Sequence, residues 1–124
     1  MPAPEQLSAW RVAASSSALD QVSWPEGALV LRLAPDEVLV MGETEPVIDD
    51  PYAVIEPDGG WAALELDPGA AGSLFAANCE WEVPAQGLGQ GLVAGVPAKV
   101  WVEPDRVLVI VPAPLAHELE RWRL

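Results

Sequence analysis

Four features of this 124-residue chain have the residue types for chemistry: the pair Asp49-Asp50, the single histidine His117, the single cysteine Cys79, and the glycine-rich run "GLGQGLVAG" beginning at Gly87. Each has a bland reading that competes with the functional one. Adjacent carboxylates could hold a hard cation, but neighbours on an extended chain point to opposite sides and no further oxygen ligands follow at loop spacing. His117 stands beside Glu118 and off the apolar stripe Leu115, Leu119, Trp122, so it reads as a surface histidine. No motif around a serine or cysteine offers it a nucleophile. Cys79 reads as a small apolar residue late in a helix, where the helix dipole disfavours a thiolate. A phosphate-cradling loop needs a strand before it and a helix after it. Here "PAQGLGQG" reads as a flexible loop, followed by the strands "LVAG" and "KVWV" turned by "GVPA". No catalytic or metal-binding residue is assigned.

Six tryptophans in 124 residues are the remaining resource. Trp122 and Trp61 suit core packing. Trp81, between Glu80 and Glu82, and Trp101, in "KVWVEP", suit a half-buried rim, an interface anchor or a stacking surface. Trp61, Trp81 and Trp101 are therefore the candidate ligand-lining residues.

The elements that must position them follow from turn grammar. Pro-Asp recurs at Pro35-Asp36, Pro57-Asp58 and Pro104-Asp105, each time ahead of an apolar run. Proline presets the second position of a type I turn and aspartate tolerates the third. Three hairpins are predicted: residues 28–33 with 37–42, "YAVIE" with "WAALEL", and "KVWV" with "VLVIV". Asp67-Pro68 reverses the order and predicts a helix start, with aspartate as N-cap and proline as first helical residue. A second helix is predicted from Pro114, with Leu115, Leu119 and Trp122 on one face. Residues 1–21, rich in Ala, Ser and Pro, read as a flexible arm, and residues 22–124 as a single domain. The predicted class is α+β: two layers, an antiparallel-rich sheet of β-hairpins with two helices, and the β-α-β-β-α order of ferredoxin-like arrangements.

Composition bounds the partners. Hydrophobic residues make up 51% of the chain, enough for a folded core despite a formal charge of −13. One cysteine excludes an internal disulfide. No apolar run reaches the length of a membrane-spanning helix and the N-terminus lacks signal-peptide features, so a cytoplasmic protein is expected. Between Leu33 and Ala98 there is no Lys or Arg but twelve acids. Such a surface repels phosphate backbones and anionic lipid, so neither nucleic acid nor membrane is an expected partner. A basic protein surface is. The uncharged run "VLVIV" at 107–111 would invite homo-oligomer formation if it lay at a sheet edge.

From about Leu31 to Trp122 the chain resembles the gamma subunit of heterotetrameric sarcosine oxidase, a relative of the aminomethyltransferase (glycine-cleavage T-protein) folate-binding superfamily. The stretches that carry the resemblance are "LAPDEVLVMG", "WAALELDPGAAGSLFAANCEWEVP" and "GLVAGVPAKVWVEPDRVLVIVPAPLAHELERW". Asp67-Pro68-Gly69-Ala70 matches the family's helix start, Phe75 to Glu80 its helix end, and Trp122-Arg123-Leu124 its closing helix. No position matches the catalytic aspartate of the folate-dependent enzymes, so the resemblance carries no catalytic residue. It implies a non-catalytic small subunit that assembles with a larger oxidase or one-carbon enzyme, or a stand-alone domain binding a tetrahydrofolate-like ligand.

Overall fold

A computed structural model describes residues 4–122. The class is α+β: among the described residues there are nine strands in two antiparallel sheets, with short helices. The chain divides into two compact units, one of Leu7–Gly60 and one of Trp61 onward joined by the chain's first strand. The single domain expected from residue 22 is thus two units, and the expected flexible arm of residues 1–21, whose first three positions lie outside the described residues, forms strands and a helix between 5 and 20. Its residues form β1 (Glu5–Leu7), β2 (Ala9–Ala13) and α1 (Ser16–Asp20). The serine run is the helix start, with the Ser15 hydroxyl accepting from the Ala18 N–H.

In the first unit the sheet order is β3 (Leu29–Ala34), β4 (Glu37–Met41), β2, β5 (Val54–Pro57). β3 and β4 form the expected hairpin around Pro35-Asp36. Arg32 clamps that turn, donating to the carbonyls of Ala34 and Pro35 while pairing with Asp20 at 3.0 Å. One face carries Val12, Val38 and Val40, which pack with Leu19 of α1 and with Trp10, Trp24, Ile48 and Ile55. On the opposite face Arg11 lies between Glu37, at 2.9 Å, and Asp58, also at 2.9 Å.

Asp58 explains why the second expected hairpin fails. β5 pairs with β2, and β6 (Trp61–Leu66) joins the other sheet. Pro57-Asp58-Gly59-Gly60 is therefore the passage between units, not a turn. The Asp58 N–H donates to the Ala9 carbonyl at 2.8 Å, extending the β2–β5 ladder by one residue. Antiparallel alternation then turns residue 57 outward at the sheet edge. A proline there has no N–H to offer another strand, which blunts the edge.

The second unit has the sheet order β1, β6, β9 (Val107–Pro112), β8 (Val96–Val102), β7 (Gly87–Val93). After β6, α2 (Pro68–Asn78) crosses to the far edge strand β7, and three successive hairpin-linked strands return to β6. Asp67 caps α2 as expected, its carboxylate accepting from the Ala70 N–H at 2.8 Å. The helix stops at Cys79, whose backbone is extended. A 3-10 turn, Ala113–Leu115, leads into α3 (Ala116–Trp122), and Leu115, Leu119 and Trp122 all join the core as their spacing predicts. The core lies between the helices and one sheet face, with Leu64, Leu66, Val100, Val109 and Val111 at its centre.

Two corrections concern β7. The glycine-rich stretch is strand from Gly87, not loop, and the following turn is Ala94-Gly95 rather than "GVPA". Both turn residues have positive φ, 50° and 80°, as a two-residue hairpin of matching twist requires. Strand β8 resumes at once with Val96. The run "VLVIV" lies in β9, between β6 and β8, so it presents no free edge.

Candidate functional site

The sheet register sorts the three candidate tryptophans. In the second unit Val100 pairs with Val109, and both face the helices. Residues one step away face the other side: Trp101 opposite Leu108, Lys99 opposite Ile110, Trp61 opposite Pro112. Trp61 and Trp101 therefore share a face, separated by the Lys99 row, while Trp81 packs on the helix side. No single pocket gathers all three.

Trp61 is half-buried. The Lys99 ammonium sits 5.2 Å from its ring centroid and is also 3.1 Å from the Gln90 side-chain oxygen. This is cation–π geometry. A shallow depression of about 260 Å³ lies here, with Leu92 and Pro97 on its rim. Trp101 belongs to a polar cluster at the β8–β9 turn. Its indole N–H donates to Glu103 at 2.8 Å, and Arg106 bridges Glu103 and Glu65, each at 3.1 Å. The Arg106 hydrogen bonds, then that from Trp101, hold the Glu103 carboxyl below its usual value.

Trp81 is the most firmly placed. Its indole N–H donates to the Leu92 carbonyl at 2.8 Å. Its ring lies against the glycines of β7: a Cβ added at Gly89 would fall 3.0 Å from the ring, and one added at Gly91 would fall 2.4 Å from it. Gly89 and Gly91 are two apart and so point to one side of the strand. The glycine run is a slot for an indole.

Beside that slot runs a groove of about 430 Å³. Phe75 and Ala76 of α2 form one wall, Cys79, Trp81 and Val83 the other, with Val102 also lining it. Every lining side chain is apolar. The chain neighbours of that lining are exposed acids: Asp67 before Pro68, and Glu80 and Glu82 on either side of Trp81. Cys79 is half-buried, and burial pushes its thiol above the ordinary value. Sequence reasoning singled out Trp81 and missed the groove. The signal for it is the two-residue spacing of Gly89, Gly91 and Val93, which is a strand period rather than a loop.

The remaining features settle into structural roles. Asp50 accepts N–H bonds from Ser15, at 3.0 Å, and from Tyr52, at 2.9 Å, which hold its carboxyl below the usual value. His117 is exposed on α3. Among the described residues no group of three His, Cys, Asp or Glu side chains could hold a metal ion, and no helix is long and apolar enough to cross a membrane. No family model, curated protein or solved structure matches this chain.

Proposed function

We propose that this chain is a docking module: a small, non-catalytic subunit that assembles with a larger protein through an acidic surface. The observation that carries this reading is the company its exposed apolar groups keep. Val47 and Tyr52, 84% and 88% exposed, lie in a connection that also displays Glu43, Glu45 and Asp49 with no cation between them. Large apolar side chains left in solvent among charges of one sign suit an anchor for a partner of opposite sign. The resemblance to the sarcosine oxidase gamma subunit makes the partner, on this reading, a larger oxidase or one-carbon enzyme subunit. Affinity purification of the tagged chain from its native host at moderate salt is the test. A stoichiometric partner lost at high salt is expected. A chain that stays monomeric and alone at every salt concentration would overturn the proposal.

A second reading, a folate-like ligand, is favoured by Lys99 above the Trp61 ring, which pairs a stacking surface with a cation for a carboxylate. Tryptophan emission during titration with tetrahydrofolate tests it. Quenching that Trp61→Phe removes is expected, and a flat response discards the ligand.

A further inference from the structure

The groove between α2 and the Cys79–Val83 segment is built differently from the rest of the surface. The side chains that line it are all apolar, and it is half-framed by a tryptophan whose position is fixed from two directions. α2 keeps it open, since Gly72 has no side chain and Ala76 only a methyl on its exposed side. Lys and Arg are missing from the sequence throughout Pro68–Ala85, which supplies every lining residue but Val102. The nearby charges at Asp67, Glu80 and Glu82 are all negative.

We propose that this groove receives a basic segment of a partner protein, seating one aliphatic side chain between Phe75, Trp81 and Val83 while flanking Lys or Arg groups meet Glu80, Glu82 and Asp67. Charge complementarity selects that occupant. An acidic or neutral apolar segment would bring like charges, or none, against Glu80 and Glu82 and against Asp67, whose carboxylate already accepts the Ala70 N–H. The apolar side chains supply the anchor, and the flanking acids supply orientation and a salt-dependent rate of encounter. This inference rests on the docking reading above and adds to the Val47–Tyr52 connection a second contact, in the other unit.

Cys79 lines the groove and is the chain's one cysteine, so its alkylation reports occupancy. The probe is a blocked synthetic peptide of Lys, Ala and Leu. Two controls have the same length, one with Ser for Leu and one with Glu for Lys. Iodoacetamide is applied near pH 9.0, the ordinary thiol value. The Lys–Leu peptide is expected to slow Cys79 modification by about tenfold at saturation, and neither control should. Ala76→Trp, which fills the groove, should abolish the protection. Glu80→Gln with Glu82→Gln should weaken peptide binding roughly tenfold without altering the fold. The inference is overturned if the Ser control protects equally, since charge alone would then explain binding. It is also overturned if Cys79 is protected by raising the protein concentration alone, which would make a second copy the occupant. A native partner that co-purifies undiminished with Ala76→Trp overturns the groove but leaves the docking reading standing. Leucine-dependent protection with no native partner at all supports the groove and counts against that reading.

Discussion

Trp81 and Gly91 occupy one another's space: the indole lies where a side chain on residue 91 would have to go, with a virtual Cβ only 2.4 Å from the ring. The fit is steric on one side and polar on the other, because the indole N–H is held by the next residue's carbonyl, that of Leu92. The glycine run of β7 and the tryptophan before it form one structural device.

Gly91→Ala is therefore expected to be destabilising although alanine is easily accommodated by strand backbone. An indole is not the free end of a flexible chain, so ring or strand must shift, at a cost of about 1–3 kcal/mol. Gly72→Ala should act in the opposite sense. Its Cβ would meet open space on α2, and removing a helical glycine gains up to about 1 kcal/mol. Urea denaturation of the two variants checks both signs. Equal effects would show that Trp81 does not occupy the slot.

Ala94 carries the one positive φ of a non-glycine residue among those described, 50°, at the first position of the β7–β8 turn. An L-residue with a Cβ pays strain there that asparagine, which favours this region, reduces. Ala94→Asn creates the Asn-Gly pair preferred by such turns. A gain on the order of 0.5–1 kcal/mol in thermal or urea denaturation is expected. The Ala94 N–H bond to the Asn78 carbonyl, at 3.0 Å, is backbone and survives the change. An unchanged or lower stability would mean that the turn is not strained.

Cys79 should be a sluggish nucleophile. Burial raises its thiol pKa, so the thiolate fraction at neutral pH is smaller than that of an ordinary cysteine. Its alkylation rate should still be climbing above pH 9.0, where a free thiol begins to level off. A rate that saturates near neutrality would require a cation or dipole that the groove does not contain.

Some of this architecture is legible in the residues and some is not, for reasons of range. The β3–β4 hairpin, the Asp67 cap and the Leu115–Leu119–Trp122 stripe are local devices whose signal lies within a few residues. β2 is different. Ala9-Trp10-Arg11-Val12-Ala13 lies in a stretch rich in Ala, Ser and Pro that reads as a flexible arm, yet it is interior to its sheet because partners at 37–41 and 54–57 close on both sides of it. Pro57-Asp58 shows the converse. Its turn chemistry is sound, but Asp58 is drawn to Arg11 and the Ala9 carbonyl, forty-seven and forty-nine positions back, and the hairpin never forms. The groove was hidden likewise, since glycine's loop propensity outweighed the period-two spacing that marks Gly89 and Gly91 as one face.

The Glu103–Arg106–Trp101 cluster makes stability depend on pH in a defined direction. Arg106 and the Trp101 N–H favour the charged carboxylate, so the folded state holds the Glu103 pKa below the ordinary 4.5 of the unfolded chain. A depressed carboxyl stabilises the fold fully above the unfolded value. That contribution drains away as pH falls through 4.5 toward the folded value and is gone below it. Glu103→Gln keeps the size and one hydrogen-bond acceptor but removes the charge. The stability difference between the parent chain and this variant should therefore be widest near neutral pH and shrink on acidification, with the parent the more stable. Both partners are partly solvent-exposed, which keeps the effect modest and lets salt reduce it. Urea midpoints measured across the acid range decide the matter: a difference that grows as pH falls would mean that Glu103 is protonated, not ionised, in the folded chain.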